Sequence, residues 1–524
     1  MRPAERDTGV TLAELLAAYS LATDLGLGQP MEHLLRAWRI AALLGEHIDL
    51  SDEDRSALFY VAVLSWVGCV ADTPEVASWF GDDIAFRRDS FGVDFAGLPA
   101  LAFMLGHVGA GRSTLHRVGL GSTLVATGAK GIERGLLSHC VSTSVLADRL
   151  GLGPKVGAAV RQFFARWDGS GVPAGVAGEQ IALPARLFHL ADVVEVYSRT
   201  GGPDAAIAVA RARRGTKFDP ALVDVFCAVA PKVLGAVIDG PDVHEMISAD
   251  PLLQDRLTGP ALDVALEAVA DFTDLRSPGR AGHSRAVAAL AGRAADVAGL
   301  PPAEADAVRR AGLIHDIGLH GVPATILEKP GRLTPTESER LRVQAYYTER
   351  VLGRPAALAR IGAIAALTHE RLDGSGYHRG LRGAALPPTA RILAAADAYQ
   401  AMTEPRPYRP ALSAMQATTT LRADVRAGRF SADAVDAVLA AAGGVTPRRR
   451  TGPAGLTPRE VEVLALIARG ASTRQVARRL GISPKTAGTH VERIYLKTGA
   501  TTRSTATLFA VHHGLLDSLE PFDP

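Results

Sequence analysis

The sequence predicts an all-α protein made of two copies of one helical domain, followed by a small basic helical domain at the carboxyl end. Apolar residues recur at helical spacing through most of the first 440 residues, and few segments alternate as β-strands do. A chain of 524 residues is too long for one core, so about three domains are expected.

The duplication is visible as segments that recur at constant offsets. Two pairs of segments match at an offset of 250 residues and two at an offset of 205. They are 33–50 with 283–300, Leu64–Gly68 with Ile314–Gly318, Arg166–Gly171 with Arg371–Gly376, and Ala185–Asp192 with Ala390–Asp397. We interpret the chain as two copies of one unit, the first holding about 45 extra residues. The expected boundaries are 1–245 and 246–442 for the copies, 443–455 for a linker and 456–524 for the last domain.

Charge is unevenly distributed. The segment 447–519 carries 12 Lys and Arg against 4 Asp and Glu, a local charge of +8, whereas the whole chain sums to +2. Basic charge concentrated at the carboxyl end is what binding of a polyanion such as DNA requires.

Cysteine content and hydropathy indicate the compartment. Cys69, Cys140 and Cys227 are isolated and form no disulfide framework, which is typical of a reducing cytoplasm. The longest apolar stretch, Ala57–Ala71, is shorter than a bilayer-spanning helix, so we expect a buried helix there and no membrane segment. We therefore expect a cytoplasmic protein.

A candidate metal site lies in the second copy. The adjacent residues His315 and Asp316 stand in an apolar helical context that would bury both side chains, and a buried carboxylate needs a cation or a strong donor. His283 and Asp397 lie in an earlier and a later helix, and imidazole with carboxylate suits manganese, iron or magnesium. The alternative is a buried hydrogen-bonded His–Asp pair without a metal.

The residues around this site resemble the HD-GYP branch of the HD phosphohydrolase superfamily. The similarity runs from Ser277 to Leu412, more weakly to Ala441, and rests on several motifs. They are Gly282–Arg285, Leu313–Gly318, Gly321–Pro323, Ile326–Thr334, His369–Tyr377, Ala390–Tyr399, Ala401–Thr403 and Arg406–Arg409. The resemblance implies two or three metals and hydrolysis of a cyclic dinucleotide, typically cyclic di-GMP, by water activated at the metals. Carried over by position, the ligands are His283, His315, Asp316, His369 and Asp397, with Asp316 and His369 as candidate catalytic residues.

Several positions depart from the family pattern. Gln344 replaces a ligand histidine, Thr368 the first of two adjacent histidines, Leu319 the lysine after the His-Asp motif, and His378 the proline of the Gly-Tyr-Pro triplet. Since glutamine and threonine are weak ligands for these ions, we expect one divalent ion, held by His283, His315, Asp316 and Asp397. Loss of the lysine removes a phosphate contact or proton donor, which argues against turnover of cyclic di-GMP in particular, while hydrolysis of another phosphate ester stays open.

The first copy departs further. Ser65–Trp66 replaces His-Asp, and Phe163–Phe164 stands where metal-binding histidines belong, while His33, His139 and Asp192 persist. Aromatic rings at these positions would fill the cavity, so we expect no metal at the corresponding place and expect the histidines to be hydrogen-bonded core groups. Packing, dimerisation or ligand sensing are the roles left to this copy.

The last domain has the signals of a helix-turn-helix. Thr457, Pro458 and Glu460 form a capping-box start, and Gly481 and Ser483 form a tight turn before a third helix from about Pro484 to Leu496. The stretch from Leu456 to Leu516 resembles the LuxR or GerE family, which implies DNA binding and dimerisation through a fourth helix, about Ser504–Gly514. The expected DNA-contacting residues are Lys485, Thr486, Thr489, His490, Arg493 and Lys497.

Three functions follow from these expectations. The first is a cytoplasmic transcription regulator whose body senses or processes a nucleotide or phosphate ligand and whose tail binds double-stranded DNA as a homodimer. The second is a metal-dependent phosphodiesterase, acting on a cyclic dinucleotide or another phosphate ester, with an attached DNA-binding module. In the third, the body only dimerises the tail.

Overall fold

The computed structural model describes residues 9–95, 97–111, 113–443 and 453–516, without the side chains of 125–132. Most of the predicted linker, residues 444–452, thus lies outside the described residues. The all-α class is confirmed: the described ranges hold two short strands, the antiparallel pair β1 (Val10–Thr11) and β2 (Arg256–Leu257). The chain forms two compact units, Met1–Ala265 and Leu266–Pro524.

Within the described residues, the first unit consists of eleven α-helices and two short 3-10 turns, Gly178–Gln180 and Pro251–Leu253. The α-helices are α1 (Leu12–Gly26), α2 (His33–Glu46), α3 (Asp52–Leu64), α4 (Cys69–Phe80), α5 (Asp83–Ser90), α6 (Gly97–His107), α7 (Thr114–Arg149), α8 (Gly153–Arg161), α9 (Leu183–Ala212), α10 (Pro220–Asp239) and α11 (Val243–Ala249). The core lies where α2 packs against α3, α9 and α10. It is built around the buried rings of Phe59, Phe188 and Phe226.

Two stretches of this unit have the length and hydropathy of a membrane span. They are Asp52–Phe80, whose most apolar window has a mean hydropathy of 1.5, and Pro220–Asp239, whose most apolar window has a mean hydropathy of 2.0. Within the fold, 83% of the apolar window of the first and 33% of that of the second is buried. The predicted burial of Ala57–Ala71 is confirmed, because these residues form the end of α3 and the start of α4, and all except the half-buried Trp66 are buried.

In the second unit, the helices up to residue 442 form the second copy. After α12 (Gly259–Asp274), which spans the limit between the units, they are α13 (His283–Val297), α14 (Pro302–Ile314), α15 (Ala324–Leu327), α16 (Pro335–Leu352), α17 (Ala359–Ala365), α18 (Pro388–Thr403), α19 (Ala414–Arg426) and α20 (Ala432–Ala442). The helix α13 packs against α14, α18 and α20 and forms the centre of this bundle.

The predicted duplication is confirmed by three pairs of helices that keep the expected offsets. The starts of α13 and α14 lie 250 residues after those of α2 and α3, and α18 starts 205 residues after α9. Between α3 and α8 the first copy has the helices α4 to α7, whereas the second copy has the 3-10 turn Ile317–Gly321 with α15 and α16 between α14 and α17. The extra residues of the first copy therefore lengthen this part of the unit.

The carboxyl-terminal helices form the predicted helix-turn-helix domain. They are α21 (Pro458–Ala468), α22 (Thr473–Leu480), α23 (Pro484–Thr498) and α24 (Arg503–His512). Thr457 and Glu460 form the expected capping box of α21, and Ser472 caps α22. The turn between α22 and α23 needs a left-handed residue, which Gly481 supplies with φ of 63°. A shared core of Val463, Leu464, Val476 and Ile494 holds the four helices together.

Candidate metal centre and nucleic-acid interface

The four predicted metal ligands converge at the middle of the second bundle. His283 is the first residue of α13, His315 and Asp316 follow the last residue of α14, and Asp397 lies within α18. All four are buried. The Nε2 atoms of His283 and His315 lie 3.3 Å and 3.6 Å from Oδ1 of Asp397, and Nε2 of His315 lies 3.3 Å from Oδ2 of Asp316.

The two histidines are oriented by hydrogen bonds on their other nitrogen. Nδ1 of His315 donates to the carbonyl oxygen of Gly312 at 2.8 Å, and Nδ1 of His283 lies 2.8 Å from a carboxylate oxygen of Glu404. Both Nε2 atoms are buried and have no partner with hydrogen-bond geometry among the described residues. Such an anchored imidazole with its second nitrogen free is the usual arrangement of a metal-ligating histidine.

Ionisation in the centre follows from burial and close partners. Burial alone would raise the pKa of Asp397, but the close approach of the His283 and His315 rings holds it well below the usual range. Burial likewise opposes ionisation of Glu404, yet the neighbouring His283 and Arg406 lower the pKa of Glu404 to about 2. The centre therefore keeps its carboxylates charged, which is the state that binds cations.

A positive side chain reaches the centre from the segment before α13. The guanidinium of Arg280 forms an ion pair with Oδ2 of Asp316. Burial, together with the charge of Arg406, lowers the pKa of Arg280 to about 10. Arg280 therefore neutralises part of the negative charge that a divalent ion would otherwise neutralise.

His369, the other candidate catalytic residue, lies at the edge of the centre. Its Nδ1 is 3.9 Å from Oδ2 of Asp397, and its ring stacks on Tyr377 with centroids 5.0 Å apart. Burial lowers the pKa of His369 to about 3, so the ring is neutral and can act as a ligand. Tyr377 also borders a surface depression of about 540 Å³, and the guanidinium of Arg342 lies 5.1 Å from the Tyr377 ring centroid.

The four positions that depart from the family pattern have other partners. Leu319 packs in an apolar cluster with Val322 and Ile326, and the hydroxyl of Thr368 donates to the carbonyl of Ala365. The amide nitrogen of Gln344 lies 3.4 Å from the hydroxyl of Tyr377, and His378 pairs with Glu349 at 2.7 Å. Leu319 therefore offers no ligand, and Thr368 offers a hydroxyl where the family has an imidazole.

Sequence reasoning missed three charged residues that organise this region. Arg280 and Glu404 act as described above, and Glu370 accepts hydrogen bonds from the backbone N–H groups of residues 379, 380 and 381. Glu370 stands next to the recognised His369, but nothing in the spacing of Arg280 or Glu404 indicates a pairing across the fold. Their positions could have been found only from three-dimensional packing.

In the first unit, the place that corresponds to the metal centre of the second unit is closed by internal hydrogen bonds. Nδ1 of His33 lies 2.6 Å from Glu195, and its Nε2 lies 3.1 Å from Asp192. Although burial opposes it, Glu195 and Asp192 raise the pKa of His33 to about 10, so this ring is positively charged. The indole N–H of Trp66 donates to Asp192 at 3.2 Å, and the ring of Trp66 contacts Phe163. His33 and Asp192 are therefore satisfied core groups.

The recognition helix α23 presents most of the predicted DNA-contacting residues to solvent. Lys485, Thr486, Thr489 and Arg493 are exposed, and His490 is half-buried. Lys485, Thr489 and Arg493 follow one another at intervals of four, so they lie on one face of the helix. Ser483 caps the helix by accepting from the N–H of Thr486 at 3.0 Å.

Lys497 is placed differently. Its ammonium group donates to the buried carboxylate of Glu460 at 2.7 Å and to the carbonyl of Gly455 at 3.1 Å. Burial of Glu460 opposes its ionisation, yet the bond from Lys497 lowers the pKa of Glu460 to about 2. In this structure Lys497 ties α23 to the start of α21 instead of lying free for a phosphate.

The helix-turn-helix domain rests on the segment that carries Arg280. Ala281 packs against the core of that domain, and a Cβ added to Gly282 would lie 3.1 Å from a methyl carbon of Leu516. Gly470 likewise lies against the ring of Pro278. Residues 278–282, which we call the docking segment, thus contact the carboxyl-terminal domain and lead directly into the ligand His283.

A bundle that gathers histidines and aspartates from three helices around one point defines an HD-type protein, here with a helix-turn-helix domain in the same chain. Comparison with known families agrees: the HD domain matches residues 267–433, and the family "Bacterial regulatory proteins, luxR family" matches residues 454–510. The chain belongs to the HD-domain family that includes the HD-GYP-type cyclic dinucleotide phosphodiesterases.

Two relatives and one solved structure define the similarity. The 3'3'-cGAMP-specific phosphodiesterase 3 of Vibrio cholerae serotype O1 is 30% identical over 408 residues, which cover 76% of this chain and 88% of that protein. A cyclic di-GMP phosphodiesterase of Thermotoga maritima is 41% identical over 129 residues, 24% of this chain and 35% of that protein. A crystal structure of a cyclic GMP-AMP-specific phosphodiesterase of Vibrio cholerae superposes with a TM-score of 0.59 at 26% identity, covering 84% of this chain and 99% of that one.

The geometry of the centre predicts how two substitutions change binding of Mn²⁺. Asp397→Ala should abolish it, because Asp397 lies within reach of both ligand histidines. Arg280→Ala should tighten it about tenfold or more, because Arg280 pairs with Asp316 and its positive charge repels an ion placed beside that carboxylate. Titration calorimetry measures both affinities. Arg332→Ala, at an exposed position, is the matched control, and equal affinity in all four proteins would place the ion elsewhere.

Proposed function

We propose that this protein is a transcription regulator that acts in the cytoplasm. Its HD-type body binds a divalent ion and a cyclic dinucleotide, and the occupied body changes the affinity of the helix-turn-helix domain for double-stranded DNA. The observation that carries the proposal is the docking segment, which touches the DNA-binding domain on one side and ends at His283 on the other.

The charges of the docking segment support a mechanical connection. Arg280 pairs with Asp316, and the guanidinium of Arg406 donates to the carbonyl of Gly279 at 2.9 Å and to Glu404 at 2.9 Å. A divalent ion beside Asp316 would compete with Arg280 for the same carboxylate. Displacement of Arg280 would shift the backbone of 278–282, on which the carboxyl-terminal domain rests.

The contact also bears on dimerisation. The docking segment meets Val511 at the end of α24 and Leu516 just beyond it. In LuxR-type domains the fourth helix mediates dimerisation, so a docked domain has part of this surface covered. Release from the docking segment would favour a homodimer on a two-fold DNA site.

The DNA-contacting surface is the exposed face of α23. We propose that Lys485 contacts phosphates and that Arg493 contacts phosphates or base edges, with Thr486, Thr489 and His490 beside them, whereas Lys497 supports the domain through Glu460. An exposed basic row on the second helix of a helix-turn-helix is suited to the major groove.

Lys485→Ala should weaken binding to any duplex and lower the dependence of the binding constant on salt by about one counterion, because a phosphate contact carries charge and no sequence information. Removal of residues 447–524 should abolish salt-sensitive binding altogether. Fluorescence anisotropy of a labelled duplex over a range of salt concentrations measures both effects. Arg426→Ala, which removes an exposed charge from α19 of the body, is the control and should leave the salt slope unchanged.

The regulatory step has its own test. Addition of Mn²⁺ with 3'3'-cGAMP or cyclic di-GMP should change the duplex affinity of the full chain by at least about fivefold, the lower range of allosteric coupling. Ala281→Glu, which places a charge in the docking contact, should remove this response while the protein still binds DNA. Ala298→Glu, at the exposed end of α13, should retain it. A response that survives in Ala281→Glu would contradict the role of the docking segment.

A second candidate function is a phosphodiesterase. It is favoured by the similarity to phosphodiesterases and by the buried Nε2 atoms of the two ligand histidines, which have no hydrogen-bond partner among the described residues. When bound, a divalent ion would activate water and polarise the phosphate. The residues of the chain would hold that ion, orient the histidines through Glu404 and Gly312, and exclude bulk water by burial.

Hydrolysis distinguishes the two candidates. If the protein is an enzyme, it should convert 3'3'-cGAMP to a linear product in the presence of Mn²⁺, and Asp316→Ala should reduce the rate at least about a hundredfold. Asp306→Ala, which removes an exposed carboxylate from α14, is the matched control. Chromatography of the nucleotide after incubation gives the result. Intact nucleotide together with altered DNA affinity supports the regulator without turnover.

A further inference from the structure

A second group of potential ligands in the first unit includes neither His33 nor Asp192. The ligand atoms of Cys69, Asp72 and His139 all lie within 4.8 Å of one another. Cys69 and His139 are buried, and the side chain of Asp72 is 16% exposed. Cys69 and Asp72 lie one turn apart at the start of α4, so they face the same side of that helix, and His139 comes from α7.

The hydrogen bonds of His139 favour a ligand at its other nitrogen. Nε2 of His139 lies 2.6 Å from the carbonyl oxygen of Ser65, which can only accept, so Nε2 carries the proton. In the neutral ring, Nδ1 then holds the lone pair. Nδ1 is buried without a hydrogen-bond partner in the described part of the chain. A ring N–H donated to a backbone carbonyl is the arrangement that orients ligating histidines in metal sites.

A buried arginine lies beside the group. Arg87 forms ion pairs with Asp72 at 2.8 Å and with Asp83 at 2.9 Å. The ring centroids of Trp66 and Phe163 lie 6.1 Å and 5.9 Å from that of His139, and the burial of Cys69 and His139 strengthens charge interactions between them and a bound ion.

We propose that Cys69, Asp72 and His139 form a binding site for a thiolate-preferring divalent ion such as Zn²⁺, with a fourth position open to water or another ligand. One sulfur, one nitrogen and one oxygen ligand suit zinc better than magnesium or calcium. Arg87 is a positioning residue, because it holds Asp72 through a hydrogen bond. The site differs in donor set from the centre of the second unit, which contains no cysteine.

Co²⁺ is the probe, since a cobalt–thiolate bond gives a charge-transfer band in the near ultraviolet that nitrogen and oxygen ligands do not give. The full chain should show this band when titrated with Co²⁺. Cys69→Ser should lose it, whereas Cys140→Ser and Cys227→Ser should keep it. Asp397→Ala, which disables the centre of the second unit, should also keep it, so the two sites are measured separately.

A second variant distinguishes the loss of a metal ligand from misfolding. His139→Gln keeps all three thiols and should weaken binding of Co²⁺, followed by the same band, at least about tenfold. Far-ultraviolet circular dichroism of the metal-free variants checks that each is folded. Absence of the band in the wild-type protein with excess Co²⁺, or its persistence in folded Cys69→Ser, overturns the proposal and leaves the group as a buried ion-pair cluster around Arg87.

Discussion

Buried negative charge at the centre of each helical bundle is the constraint on which the rest of the structure depends. A carboxylate taken out of water is costly unless a cation or several donors accompany it. In the second unit Asp316, Asp397 and Glu404 are met by Arg280, Arg406 and two histidines. In the first unit Asp192 and Glu195 are met by the charged ring of His33. The helices that carry these groups correspond between the copies, so the charge pairing and the bundle geometry are two aspects of one arrangement.

The two copies balance this buried negative charge with different chemical groups. In the first unit a proton on His33 supplies the positive charge, the Trp66 N–H adds a further donor, and aromatic rings occupy the remaining space. Both ring nitrogens of His33 are thereby used. In the second unit each ligand histidine uses only Nδ1 for orientation, and Nε2 remains available. Duplication has kept the helices, while the place around His33 in the first copy became self-contained and the corresponding place around His283 stayed able to take a ligand.

Much of the fold could be predicted because its signals are local. Capping residues such as Thr457 and Ser483 and the constant offsets between repeated motifs are read directly from the chain, and the convergence of His283, His315, Asp316 and Asp397 follows from the resemblance. The pairings that complete the site are not local. Glu404 lies 121 residues from His283, and the contact of Ala281 with the helix-turn-helix core joins residues from different domains. Lys497 fits the polar pattern of a recognition helix equally well whether it meets a phosphate or Glu460, so spacing alone could not assign its partner.

The Glu460–Lys497 pair has a consequence for the behaviour of the carboxyl-terminal domain in salt. Its carboxylate is buried, so mobile ions reach it poorly and weaken it far less than they weaken contacts between exposed side chains and phosphates. Raising the ionic strength therefore separates two properties that both depend on positive charge. At high ionic strength the domain releases a bound polyanion while α21 and α23 remain packed together. It can therefore bind again once the salt is diluted.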